Sequence, residues 1–205
     1  MSKRADVFDR RAPYHGDQRR AALLSALDGY LREGALDTIT IADISARAGV
    51  SRSAFYFYFE NKAACVAALA SEMYQKAIAA ADHLFVAEVP PRERIQSMIS
   101  GLFAAWEGHQ YLYRAMLEAS RTSSTLRELW DSYRESFVEP VAAMIDDERA
   151  SGRAPAGPDS TTLAITLLEL GDRALERLTP DDPLNTSRRA EVLVTIWFRT
   201  IYGTP

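Results

Sequence analysis

Residues 51–62 read SRSAFYFYFENK, and five consecutive rings, Phe55 to Phe59, sit inside that stretch. Aromatic content of this kind ordinarily favours a strand. The preceding residues 38–50, TITIADISARAGV, argue otherwise. Thr40 is an N-cap with Asp43 in the first turn of the helix it opens. Gly49 is the residue type that tolerates the left-handed backbone closing such a helix. Ser51 then caps a second, short helix, and the rings ride on it.

At about 100° per residue, Arg52, Ser53 and Tyr56 share one arc of that helix. Ala54, Phe55 and Tyr58 take the other side, with Phe59 near the border. Phe55 is expected against Ile44, Ala48 and Val50, and Phe59 against the first helix. The phenylalanines at 55, 57 and 59 read as core, because apolar rings at helical spacing are usually packing. The outward arc then carries a guanidinium, a hydroxyl and a phenol, which suit a DNA major groove. Arg52 donates to phosphate or to guanine O6 and N7. Ser53 permits close approach, and Tyr56 offers a hydroxyl to phosphate and a ring face to a thymine methyl. Thr40 caps a supporting helix whose amides face a phosphate, and Lys62 adds an ammonium at the next helix start. Arg47 reads as a solvated charge. Lys3, Arg4, Arg10 and Arg11 form a basic arm that follows the backbone or enters a minor groove.

The charge distribution agrees. The net charge is −4, against indiscriminate coating of nucleic acid, yet residues 1–62 hold ten Lys/Arg against eight Asp/Glu, net +2. The remainder holds fourteen against twenty, net −6. A small basic module on an acidic body is compatible with local phosphate contact. The polar start predicts no secretory signal, and the longest apolar run, Ala63 to Ala70, is too short to span a bilayer. The single cysteine, Cys65, fits a reducing cytoplasm. The three scattered histidines show no metal-ligand spacing.

Helix punctuation recurs along the whole chain, and strand signals are nearly absent. The expectation is an all-α fold of about nine helices, divided into an arm (1–16), a three-helix helix-turn-helix domain (17–62) and a helical ligand-binding and dimerisation domain (63–205). Asp17 caps the first helix, which Leu23, Leu24, Leu27 and Leu31 anchor. Further on, Met98, Leu102, Phe103 and Trp106 recur at helical steps, as do Trp130, Tyr133, Phe137 and Met144. Such stripes are core by default, but the weight of Trp, Tyr and Met over Val and Ile suits an adaptable ligand cavity. The helices at 159–178 and 187–202 are apolar on two sides, so each needs two packing partners, and a dimer seam supplies the second.

The stretch TITIADISARAGVSRSAFYFYFENKAACVAAL, 38–69, resembles the N-terminal DNA-binding domain of TetR-family transcriptional regulators. The match lies in Thr40, Ile41-Ala42, Ala48 to Ser51, the Tyr-x-Tyr-Phe group at 56–59, and Lys62. ELW at 128–130, MIDDERASGRAP at 144–155 and IWFRTIYG at 196–203 are similar to a repressor of that family that has a long apolar tunnel. The resemblance implies a homodimer joined through the last two helices, double-stranded operator DNA as partner, and an apolar small-molecule effector with no cofactor. It implies DNA contacts at Thr40, Arg52, Ser53, Tyr56, Tyr58 and Lys62; glycine is usual where Ser53 stands. It implies tunnel positions at Leu102, Trp106, Trp130, Phe137, Leu168, Gly171, Asp172 and Trp197. That repressor has asparagines at the positions of Leu168 and Gly171, so the ligand here is more apolar, or is anchored by Asp172 or Glu169. Arg173 or Arg177 is expected to hold Asp172 in an ion pair.

An all-helical enzyme is the rival class, but no nucleophile elbow, metal cluster or phosphate loop occurs. Asp146, Asp147 and Glu148 read as a solvated acidic patch, and His109 as a cap or surface residue. A ligand-independent regulator or an activator shares the same motifs.

Overall fold

The computed structural model describes residues 11–177 and 186–203, with side chains described for 18–71, 73–177 and 186–203. Those residues form nine α-helices and two 3-10 turns, with no strand. In chain order the helices are α1 (Arg11–Glu33), α2 (Ile41–Arg47), α3 (Arg52–Tyr58), α4 (Lys62–Ala81), α5 (Pro91–Trp106), α6 (Gln110–Thr122), α7 (Ser124–Ala150), α8 (Ser160–Glu176) and α9 (Thr186–Tyr202). The 3-10 turns are Leu36–Thr38 and Asp82–Phe85. The described chain divides into two compact units, 11–71 with 114–126, and 72–113 with 127–177 and 186–203. The division falls inside α4, α6 and α7.

In the first unit, α1 starts at Arg11 and not at an Asp17 cap. Pro13 does not block this, because the first turn of a helix needs no backbone N–H from it. Lys3, Arg4 and Arg10 of the expected arm lie outside the described residues. The capping box of α2 is complete: Thr40 Oγ1 accepts from Asp43 N at 3.2 Å, and Thr40 N donates to Asp43 Oδ2 at 2.9 Å. The helix closes on Gly49 at φ 67°. Val50 N reaches back to Ser45 O and Gly49 N to Ala46 O, the paired bonds that satisfy the last carbonyls of such an end. Ser51 Oγ accepts from Ala54 N at 3.1 Å and starts α3. Beneath these turns lie Leu23, Leu27, Leu31, Ile44, Phe55 and Phe59, all buried; Leu24 is half-buried.

In the second unit α5 packs on α9, and α9 also meets α8. Ile95, Ile99, Phe103, Leu163, Leu193 and Ile201 supply buried apolar surface. One polar feature is built into this core. Arg94 and Glu148 are 4% and 3% exposed, with Arg94 Nη2 donating to Glu148 Oε1 at 3.0 Å. Arg153 adds a fork, Nε to Oε2 at 2.9 Å and Nη2 to Oε1 at 3.0 Å. Gly152, at φ 74°, makes that return possible: it ends α7 with the same paired bonds as Gly49, so that Arg153 folds back over Glu148. Glu148 therefore does not belong to a solvated acidic patch. A buried carboxylate persists only when paired, and two guanidiniums pair this one. Burial pulls its pKa up, but the hydrogen bonds from Arg153 and Arg94 outweigh that and hold it below the usual carboxylate range.

Candidate functional site

Two arrangements of side chains stand out, one in each unit. In the first unit, α3 sorts its rings by its own geometry. Phe55 is fully buried, and Phe59 is 4% exposed. Arg20 of α1 lies over the Phe59 ring, 5.5 Å from its centroid, so Phe59 meets the first helix as expected. Arg52 and Ser53 are exposed, and Tyr56 is 52% exposed with its edge on Phe55. Tyr58 is half-buried.

Phe57 departs from expectation. It is 81% exposed, the most open large apolar side chain described, and its ring meets Tyr58 edge to face at 4.9 Å. Helical spacing places residue 57 beside Ser53, four residues earlier, so position alone predicts exposure. Apolar character favours the core at this position, and helical spacing prevails over it. The outward face is therefore Arg52, Ser53, Tyr56 and Phe57: a cation, a hydroxyl, a phenol and an apolar ring on one side of a capped helix.

Thr40 and Lys62 flank that helix in the sequence, and both are engaged with the scaffold. Thr40 Oγ1 is held by Asp43. Lys62 Nζ donates to the carbonyls of Leu36 and of Ile39, the latter at 2.7 Å, so its ammonium ties the start of α4 to the turn before α2. Arg47 is not simply solvated: Nη2 bonds Glu33 Oε1 at 2.9 Å, and the guanidinium lies over the Tyr30 ring at 4.5 Å, fastening α2 to α1.

The second unit holds a cavity of about 120 Å³. All eight expected positions, Leu102, Trp106, Trp130, Phe137, Leu168, Gly171, Asp172 and Trp197, line it. Helices α4, α5, α6, α7, α8 and α9 each contribute to the wall, so residues scattered over a hundred positions converge. Sequence reasoning missed Tyr74, Tyr113 and Arg134. Tyr74 stacks on Tyr133 at 4.7 Å and 5° and meets Trp106 and Trp130 edge-on at 5.7 and 5.8 Å. Tyr113 meets Trp106 and Trp130 at 5.0 and 5.3 Å. Arg134 was within reach of the pattern, because it stands four residues after Trp130 and so shares its helical face. Tyr74 and Tyr113 gave no local signal; only tertiary packing gathers them.

One charged pair interrupts the apolar wall. Arg134 Nε stands 3.2 Å from Asp172 Oδ2, without hydrogen-bond alignment, while Arg134 Nη2 bonds Asp131 Oδ1 at 2.6 Å. The partner of Asp172 is thus Arg134. Arg173 bonds Glu176 one turn along its own helix face, where its side chain is 55% exposed. Burial pushes the Asp172 carboxyl up to about 6; Arg134 pulls it down and Glu169 adds a like charge. Burial also raises the pKa of the Tyr74 and Tyr113 phenols, which stay neutral donors; the Tyr113 hydroxyl donates to the backbone oxygen of Asp172 at 3.3 Å.

Known proteins are similar to this chain along most of its length. The model for bacterial regulatory proteins of the tetR family matches residues 23–69, and that for the C-terminal domain of the transcriptional regulator EthR matches 95–203. The HTH-type transcriptional regulator EthR of Mycobacterium tuberculosis is 32% identical over 194 residues, 92% of this chain and 89% of the relative. That of Mycolicibacterium smegmatis is 30% identical over 193 residues, 92% and 88% of the two chains. Among solved structures, NalD, the secondary repressor of the MexAB-OprM multidrug efflux pump in Pseudomonas aeruginosa, has a TM-score of 0.72 at 18% identity, covering 91% of this chain and 97% of NalD. FadR of Bacillus subtilis in complex with stearoyl-CoA has a TM-score of 0.68 at 17% identity, covering 92% and 98%. At those identities the structural likeness is one of fold.

Proposed function

The chain belongs to the TetR family of bacterial transcriptional regulators, and from that premise we propose a repressor that grips operator DNA as a homodimer and releases it when a small molecule fills the cavity. One observation carries the DNA reading: Arg52, Ser53, Tyr56 and Phe57 face outward from a helix whose inner side is anchored by a fully buried Phe55. In this reading Arg52 and the Tyr56 hydroxyl take phosphate or base edges, Ser53 allows close approach, and Phe57 joins them as an apolar contact for thymine methyls. Tyr58, half-buried, offers its hydroxyl at the border. Thr40 and Lys62 set the angle of the helix from behind, and any phosphate contact they make comes second to that.

The dimer reading is supported by Ile165, Leu170, Val192 and Ile196, which leave α8 and α9 with large apolar side chains 36–57% exposed. Apolar surface on two neighbouring helices is the mark of a face that meets a partner. A twofold dimer matches a palindromic operator, with half-sites about 34–36 Å apart. The effector acts through its differential affinity for two conformers, a coupling of about 1–3 kcal/mol in typical systems. FadR, a fold neighbour held with stearoyl-CoA, supports the idea that this architecture accepts a small molecule.

The test begins with operator fragments selected from a random-sequence DNA pool by the wild-type protein. Arg52→Ala with Tyr56→Phe is expected to weaken the gel shift at least tenfold, on the order of 1–3 kcal/mol for each lost contact. Helix content and dimer mass stay unchanged. Wild-type affinity in the double variant would remove α3 from the interface.

A further inference from the structure

The apolar cavity borders a row of charged groups. A groove of about 770 Å³ runs between α7 and α8 and shares Arg134 and Leu168 with the cavity. Its walls hold Asp131, Glu135, Glu139, Asp146 and Glu169, and Arg134 is the single base among the described residues lining groove or cavity. Acidic walls beside a low-dielectric cavity raise the local concentration of cations. Inside, Tyr74, Trp106, Tyr113, Trp130 and Tyr133 form a cluster of electron-rich rings whose neighbouring centroids lie 4.7–5.8 Å apart. Rings of this kind attract an organic cation that has shed its water.

The ion pair decides the sign. Arg134 has two carboxylate partners, and the one inside the cavity, Asp172, is the poorly aligned one. A cationic ligand that takes Asp172 leaves Arg134 on Asp131, so no charge is orphaned. An anionic ligand that takes Arg134 leaves the half-exposed Asp172 facing Glu169 with its cationic neighbour withdrawn, so a like-charge contact loses its compensation. A neutral ligand leaves the pair in place and forgoes both gains. We propose, on the basis of the ligand-responsive reading above, that the effector is a cationic amphiphile. Its hydrocarbon or aromatic body lies among Leu102, Phe137, Leu168 and Trp197, and its ammonium sits on Asp172 within the ring cluster.

The protein carries its own reporter. It has three tryptophans, Trp106, Trp130 and Trp197, and all three line the cavity, so selectively excited tryptophan fluorescence reads this site. Three probes share one carbon skeleton and differ in end charge: 4-phenylbutylamine, 4-phenylbutan-1-ol and 4-phenylbutanoate. Titrated into the full-length protein at pH 7.5, the amine is expected to bind roughly tenfold tighter than the alcohol, as a desolvated ion pair with ring contacts supports, and the carboxylate weakest. Asp172→Asn should cut the amine's advantage to less than about twofold while the alcohol's affinity holds, which also reports that the variant is folded. Should that variant fail to bind the alcohol, Arg134→Gln tests the same point, because freeing Asp172 should strengthen amine binding. Alcohol or carboxylate binding as tightly as amine overturns the charge preference and leaves the ligand-responsive reading standing. Silence from all three probes at millimolar concentration overturns both.

Discussion

The five rings of α3 permit a direct test of the orientation on which the DNA reading depends. Replace Phe55 and Phe57 by alanine in separate variants. Phe55 is fully buried, whereas Phe57 is 81% exposed. A phenylalanine removes ~200 Å² from water when buried, worth ~5 kcal/mol at about 25 cal/mol per Å². A partly compact unfolded chain lowers that figure, and large-to-small core variants measure ~3–5 kcal/mol. Phe55→Ala is therefore expected to lose ~3–5 kcal/mol, a fall of roughly 6–20 °C in Tm for a chain of this size. Phe57 keeps only about a fifth of that burial, so Phe57→Ala should cost less than about 1 kcal/mol. Thermal unfolding followed by circular dichroism, at one protein concentration because any self-association couples stability to concentration, measures both. A gel shift supplies the second axis: Phe57→Ala should weaken operator binding several-fold while the fold stays intact. Two equally destabilised variants, or a Phe57→Ala costing 3 kcal/mol, would refute the orientation of α3 and the interface drawn from it.

Two predictions concern carboxyl groups, with opposite pH behaviour. Glu148→Gln strands the buried Arg94 guanidinium and should cost ~3–5 kcal/mol in urea unfolding, while Arg153→Ala, losing a guanidinium that is 55% exposed, should cost clearly less. Because the folded-state pKa of Glu148 is depressed, its contribution is present above the unfolded value of about 4.5 and fades as pH falls below it. Asp172 runs the other way: its folded pKa is pushed up to about 6, so folding takes up a proton between the unfolded value and that one. Wild type should therefore lose stability relative to Asp172→Asn as pH rises from about 4 to 6, with a flat difference outside that window. A difference that is constant across the window would show that the carboxyl is not perturbed.

Local chemistry made much of this protein legible. Thr40 with Asp43, Gly49 and Ser51 are punctuation that acts within one or two turns, so the helix-turn-helix could be read without knowing any distant contact. The outward placement of Arg52, Ser53 and Tyr56 followed from helical spacing, and so would that of Phe57 had spacing been given more weight than hydrophobicity. The eight expected positions around the cavity came from family resemblance together with aromatic stripes. What the sequence alone determined is the set of helices and the caps and turn that frame α2 and α3, because those depend on interactions a few residues long. Only tertiary structure decided that Arg134, not Arg173 or Arg177, faces Asp172, that Glu148 is sealed between Arg94 and Arg153, and that Tyr74 and Tyr113 complete the ring cluster. Pairing of that kind depends on how helices distant in the chain are turned toward one another, and that is set by the packing of the whole core, not by any one segment.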